Sequence, residues 1–409
     1  MHNKSLAIYI HWPFCKAKCP YCDFNSHVRR EIDHERWLKA YITAIDNHAD
    51  LMRSTPISSI FFGGGTPSLA KPEMINAILD KIASLATISP PVNPPSVDHL
   101  PMAPSAARVE RTRYVDAMGL NTKSYPMEVT LEANPTSIEI SNLKAFREAG
   151  INRLSIGIQS LRDDQLKFLG RQHSAGEAKN AIKVAAQYFD NYSFDLIYCL
   201  PNQTIEQWRQ QLVEAISLAG PHLSLYQLTI EQGTVFAERY AKGQIKMPSE
   251  DESANFFEVT QEIMEKHGMP GYEISNHAKV GFKSRHNLQY WQYGDYLGIG
   301  PGAHGRIPNG VDKLACVDYK MPESWLKSVE LVGHGIEFIE KIDEEQAMKE
   351  AIIMGLRLSE GMDLDRLHRV NMAEVDQLIA DGLLIMKGCR IAATPRGKLL
   401  LNSIIDKLT

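Results

Sequence analysis

The 409-residue sequence predicts an α/β protein: a partial (β/α)6 barrel, then a C-terminal α+β region ending in a winged-helix-like unit. Six short apolar, β-rich runs recur through the first 230 residues, and amphipathic helical stretches separate them. Near the C-terminus, helices lead into a short hairpin. Strand alternating with helix implies parallel strands joined by crossovers. In an open or closed βα barrel, chemistry collects where strands end and loops begin.

The six runs are LAIYIHW (6–12), SSIFFGG (58–64), MEVTLEANP (127–135), RLSIGIQS (153–160), FDLIYCLP (194–201) and HLSLYQLTI (222–230). Between them lie ERWLKAYITAIDNHADLM, PEMINAILDKIASLA, SNLKAFREAG and TIEQWRQQLVEAISLA, all with helical spacing. Polar and small residues gather at one rim. A cysteine loop follows the first run and GGGTP the second. Glu132 ends the third, Gln159 ends the fourth, and Asp195 lies on the fifth. The span 88–126 breaks the rhythm, being rich in Pro, Ala and Ser without a period. It reads as an exposed, mobile insertion within a 1–230 barrel, with Arg108, Arg111 and Arg113 as a small basic group.

A second unit spans 231–340. SEDESANFFEVTQEIMEKHG reads as a helix with an acidic start that suits its dipole. GYEISNHAK, the HNLQYW stretch and DYLGIGPGAHG read as strand and loop. The last unit, 341–409, places EEQAMKEAIIMGLRL, LDRLHRV and MAEVDQLIADGLL before a hairpin around Lys387 and Gly388. That is the winged-helix pattern, without the basic excess of a DNA-binding module.

Composition narrows the function. A net charge of −5 argues against a general nucleic-acid binder, which must neutralise phosphates. No run of about 18 apolar residues predicts a membrane span. The N-terminus lacks a signal-peptide pattern. Six cysteines, three of them clustered, are not a disulfide framework and point to a metal in a reducing cytoplasm.

Cys15, Cys19 and Cys22 are spaced Cys-x3-Cys-x2-Cys. Three thiolates can wrap one face of a [4Fe–4S] cluster and leave one iron for an external chelating ligand. Pro13 and Pro20 stiffen the loop. A zinc site completed by His11 or a distant residue, and unrelated structural cysteines, are the alternatives. The glycines of Gly63–Pro67 let a ligand approach the backbone. Glu132 and Asp195 could accept bonds from hydroxyls or an ammonium, and Arg171 could clamp a carboxylate. His286, Tyr290 and Trp291 in HNLQYW could meet a haem, or form a structural corner. His11, His277 and His304 are further candidates for an iron ligand.

Cys-x3-Cys-x2-Cys after the first strand, followed by GGGTP, resembles the signature of radical S-adenosylmethionine (SAM) proteins. YIHWPFCKAKCPYCDFNSH, FFGGGTPSL, LEANP, RLSIGIQS, LGRQH, FDLIYCLP, LSLYQLTIE and RHNLQYWQYGDYLGIGPGAHG resemble the HemW branch of the oxygen-independent coproporphyrinogen oxidase family. The resemblance implies a radical-SAM barrel. Cys15, Cys19 and Cys22 would hold the cluster, with SAM on the open iron. Tyr9, Gly64, Glu132, Gln159, Arg171 and Asp195 would contact SAM. Gly65, Thr66 and Tyr21 match contacts to a second SAM in the oxidase branch. An electron through the cluster would cleave SAM to methionine and a 5′-deoxyadenosyl radical.

Phe24 stands where the oxidase branch has a further cysteine, and the lead before Cys15 is shorter than in that branch. Both features favour a haem chaperone over oxidative decarboxylation of coproporphyrinogen III. HNLQYW matches the HNxxYW motif linked to haem, so His286, Tyr290 and Trp291 would contact it. Implied partners are haem, haem-receiving respiratory apoproteins, an electron donor for the cluster and, transiently, a membrane surface. Cys199 occupies the usual glycine place of D-L-I-x-G-L-P and is expected to pack as a small hydrophobe.

Overall fold

A computed structural model describes residues 5–86, 123–367 and 369–409. Most of the expected insertion, with Arg108, Arg111 and Arg113, lies outside the described residues. Six strands run parallel and side by side in chain order: β1 (Leu6–Trp12), β2 (Ile57–Gly64), β3 (Glu128–Ala133), β4 (Arg153–Gln159), β5 (Asn191–Tyr198) and β6 (His222–Gln227). These are the six expected runs. β1 is buried at every residue but Tyr9, the mark of a strand covered on both faces.

The sheet continues across residue 230. β7 (Asn276–Ala278) pairs antiparallel with β6. On the other side β8 (Asp295–Ile299) pairs parallel with β1, and β9 (His304–Asn309), β10 (Asp312–Asp318) and β11 (Ile336–Ile342) extend it antiparallel. Among the described residues the result is one sheet of 11 strands.

Helices cover the sheet, and their starts are written locally. α1 (His34–Asn47) is capped by Asp33, and α2 (Pro72–Leu85) has proline in its first turn. α3 (Ala175–Tyr188), α4 (Ile205–Leu218) and α5 (Glu250–Lys266) carry complete capping boxes at Ser174/Glu177, Thr204/Gln207 and Ser249/Glu252.

The HNLQYW stretch corrects the sequence reading. It is not strand or loop but a helix, α6 (Arg285–Trp291). Ser284 caps it by accepting from the Asn287 N–H at 3.3 Å. Glu128, on β3, accepts from the N–H groups of Arg285 and His286 at 3.2 Å each. A carboxylate at the positive end of the helix is favourable, but it arrives from far away in sequence.

α7 (Pro322–Val332) packs through Trp325. This side chain is fully buried, its ring stacks on Trp37 of α1 with centroids 5.6 Å apart, and its Nε1 donates to Asp318 at 2.7 Å. Trp325→Ala is expected to cost roughly 3–5 kcal/mol, the usual range for a buried large aromatic. A denaturant midpoint equal to wild type would contradict this packing role.

The C-terminal unit has its own core and a three-stranded sheet, ordered β12 (Met362–Asp363), β14 (Arg390–Ala393), β13 (Leu384–Lys387). α8 (Glu344–Gly355) ties it to the barrel: Glu350 takes a bidentate pair from Arg306 of β9 at 2.9 Å.

Candidate functional site

The cysteine loop leaves β1 at the C-terminal rim of the sheet. Phe14–Cys15 pairs with His27–Val28, so the loop closes on itself. Asn25 fastens it to the remainder: its Nδ2 donates to the carbonyls of Pro301 and Lys320 at 2.8 and 2.9 Å. All six cysteines are free.

Cys15, Cys19 and Cys22 line one cleft of about 720 Å³. Each thiol has a different neighbour: Thr66 Oγ1 donates to Cys15 Sγ at 3.3 Å, Arg171 Nη1 to Cys19 Sγ at 3.3 Å, and Ser26 Oγ lies 3.9 Å from Cys22 Sγ. Burial raises the Cys15 and Cys22 thiols above their ordinary value. Among the described residues no three His, Cys, Asp or Glu side chains converge as ligands of a single ion. His11 does not complete a zinc site. Its Nδ1 is bonded to Tyr9 OH at 3.0 Å and its Nε2 to the Asn25 carbonyl at 2.9 Å. Three separated thiols around one cleft fit the corners of a polynuclear cluster better than one ion.

The glycine turn forms the floor. Gly64 has φ +112°, which L side chains rarely adopt. A Cβ on Gly65 would sit 2.7 Å from the Phe14 carbonyl oxygen. Close backbone approach is thus built in: the N–H groups of Gly65 and Thr66 donate to Trp12 and Phe14 at 2.7 and 2.9 Å. The Gly64 N–H donates to Glu132 Oε2 at 3.3 Å.

Glu132, Gln159, Asp195 and Arg171 face the same cleft. Burial, then Asp195, pushes Glu132 up to about 8. Burial pushes Asp195 up to about 6 against the pull of Ser224, Arg153 and Arg171. Gln159 has φ +69° and sits where the pairing of β4 with β5 shifts register. Arg171 Nη2 donates to Asn134 at 2.6 Å and to the Gly157 carbonyl at 2.8 Å, while its Nε is buried without a partner.

Asn134 was missed by sequence reasoning. It also donates to Thr66 Oγ1 at 3.0 Å, and so joins the arginine to the glycine turn. Its only signal was its place inside LEANP. Tyr21 lines the cleft and tilts against Phe236, with centroids 6.2 Å apart. Tyr9 lies on the far side of Gly64 and Glu132, in a neighbouring cavity. Cys199 has φ +61°, which explains why glycine suits that place. It is buried, as expected, with its Sγ 3.3 Å from Ser253 Oγ.

The HNLQYW residues do not meet on one cavity. His286 is buried with both ring nitrogens engaged, Nδ1 by Ser59 Oγ and Nε2 by Tyr290 OH, each at 2.9 Å. Burial, then Arg153, pushes its pKa down to about 3. Trp291 faces the C-terminal unit, with the Arg357 guanidinium 4.7 Å from its ring centroid. Tyr290 alone of the three lines the cavity that holds Tyr9. The helix explains the divergence: i and i+4 share a face, i+5 does not.

Among the described residues no helix is long and apolar enough to cross a membrane. Residues 9–212 match the model of the radical SAM superfamily, and residues 342–400 that of the HemN C-terminal domain. The chain is 35% identical over 415 residues to "Radical S-adenosyl methionine domain-containing protein 1, mitochondrial" of Mus musculus, covering 98% of this chain and 86% of that one. It is 33% identical over 412 residues to "Heme chaperone HemW" of Escherichia coli, covering 98% and 97%. Coproporphyrinogen III oxidase (HemN) of Escherichia coli has the same fold: a TM-score of 0.76 at 20% identity, over 99% and 90% of the two chains. With its three-thiol loop, glycine turn and full-length relatives, the chain belongs to the radical SAM superfamily, in the group of HemW.

Proposed function

We propose that this protein is a haem chaperone, carrying haem for delivery to respiratory apoproteins. Membership of the radical SAM superfamily implies a [4Fe–4S] cluster and SAM. Cys15, Cys19 and Cys22 would hold the cluster, and SAM would complete the fourth iron. When bound, the pair supplies one-electron chemistry. Gly64 offers close backbone approach, Glu132 and Asp195 accept hydrogen bonds, and Gln159 and Arg171 supply donors, the arginine suited to a carboxylate. Gly65, Thr66 and Tyr21 border the same cleft. Tyr9 and Tyr290 would face the cargo from the neighbouring cavity, with His286 positioning the Tyr290 hydroxyl.

The observation that carries this reading is the near full-length similarity to chains named "Heme chaperone HemW". Phe24 agrees with it. The cleft presents an aromatic ring, 64% exposed, where the oxidase branch has a thiol. After anaerobic reconstitution, absorption and EPR spectra are expected to show a [4Fe–4S] signal that changes on adding SAM, and haem is expected to bind. Supplied with coproporphyrinogen III and a reductant, the protein is expected to make no protoporphyrinogen. Turnover would overturn the reading in favour of the oxidase.

A further inference from the structure

A cavity of about 840 Å³ opens between the cysteine loop and the turn joining β8 to β9. Tyr9, Phe24, Tyr290, Tyr296 and His304 contribute to its lining. The aromatic surface is held in place before any cargo arrives. Tyr290 and Tyr296 meet edge to face with centroids 4.6 Å apart, and His286 bonds the Tyr290 hydroxyl from behind. Phe24 borders both this cavity and the cleft of the three thiols. An exposed phenyl ring between two cavities is apolar surface that a flat, apolar ligand would cover.

Two histidines reach this cavity. His11 has both ring nitrogens bonded within the protein. His304 is exposed, its ring has no hydrogen-bond partner among the described residues, and its charged neighbour is Arg306. Its backbone is nevertheless rigidly placed. A Cβ on Gly298 would collide with the His304 carbonyl oxygen, so β8 and β9 are in close contact there. The preceding turn is fastened to the cysteine loop through Asn25 and the Pro301 carbonyl. A rigid backbone with an open imidazole nitrogen is what a metal in a flat macrocycle requires.

We propose that this cavity is the haem site and that His304, not His286, provides the axial ligand to the haem iron. The proposal rests on the haem-carrying reading above. Gly64 and Glu132 border both the cavity and the cluster cleft, so the haem would lie beside the SAM position. His286, enclosed by Ser59 and Tyr290, acts as a positioning residue for the aromatic wall.

The test is a titration of the reconstituted full chain with haem, followed at the Soret band. His304→Ala is expected to lose the histidine-ligated band and to weaken binding about tenfold or more, the scale of a lost interaction at a metal. Added imidazole is expected to restore the band. His286→Ala, with its circular dichroism unchanged, is expected to weaken haem binding by releasing the Tyr290 hydroxyl while the histidine-ligated band keeps its position. A His304→Ala protein with the spectrum and affinity of wild type would overturn the ligand assignment alone. Loss of the band in a folded His286→Ala protein would do the same. A wild-type chain that leaves the haem spectrum unchanged would overturn the haem-carrying reading itself.

Discussion

Cys15→Ala is expected to abolish assembly of the iron–sulfur cluster. Anaerobic reconstitution of this variant is expected to yield almost none of the wild-type iron content and no [4Fe–4S] absorption. The cleft offers three thiols, and no fourth is at hand to take over. Cys199 and Cys316 are buried and Cys389 is exposed, and none of them lines the cleft. Two thiolates leave two irons of the cube without protein ligands, so the cluster cannot be retained. Cys15 is also the most enclosed of the three and the one bonded by Thr66. Replacing it leaves the apo fold largely intact, because a small buried thiol packs much as alanine does. Full iron content in the variant would remove Cys15 from the ligand set.

Glu132→Gln separates stability from binding. The unfolded chain gives up this proton near 4.5, whereas the fold keeps it until about 8. Between those values the folded protein binds more protons than the unfolded one, so stability falls as pH rises through that window. Above it the fold carries a carboxylate at the back of the cleft, beside Asp195. Glutamine keeps an oxygen to accept from the Gly64 N–H and never becomes charged. At pH 9 the apo variant is expected to be more stable than wild type by about 1–3 kcal/mol, the scale of a poorly compensated buried polar group. At pH 5 the two should nearly coincide. At pH 9, where the wild-type side chain is a carboxylate, SAM binding should change in the opposite sense, weakening about tenfold as a charge-assisted acceptor is lost. Urea midpoints at the two pH values and a SAM titration check both. Equal midpoints at pH 9 would show that the carboxylate is not held in its neutral form.

Much of the barrel is legible without coordinates. Its six parallel strands are short β-rich runs of nearly continuous apolar residues, and a strand buried on both faces has to read that way. The helix starts are equally local, since Ser174/Glu177, Thr204/Gln207 and Ser249/Glu252 each close a capping box within four residues. The thiol loop and glycine turn declare themselves because their chemistry depends on spacing and on the absence of side chains.

The helix at Arg285–Trp291 was not legible for the opposite reason. Seven residues are too few for a convincing period, and one of its caps, Glu128, comes from a strand 157 residues away. The continuation of the sheet through β7–β11 is hidden similarly. Short strands carry little periodicity, and the partners of these are chosen by the open edges of the barrel.

Local sequence therefore specified the strands, their order and the loop that can hold a cluster, because these rest on composition and on short-range hydrogen bonds. Tertiary structure decided which polar groups remain available. Asn134 becomes a link only when the ends of β2 and β3 lie side by side. Tyr290 and Trp291 look equivalent along the chain, yet a helix sends them to different surroundings. His286 and His304 have the same chemistry, but folding encloses one imidazole between Ser59 and Tyr290 and leaves the other facing a cavity. Burial and partner choice are properties of the packed chain, and they determine which histidine can still bind a metal.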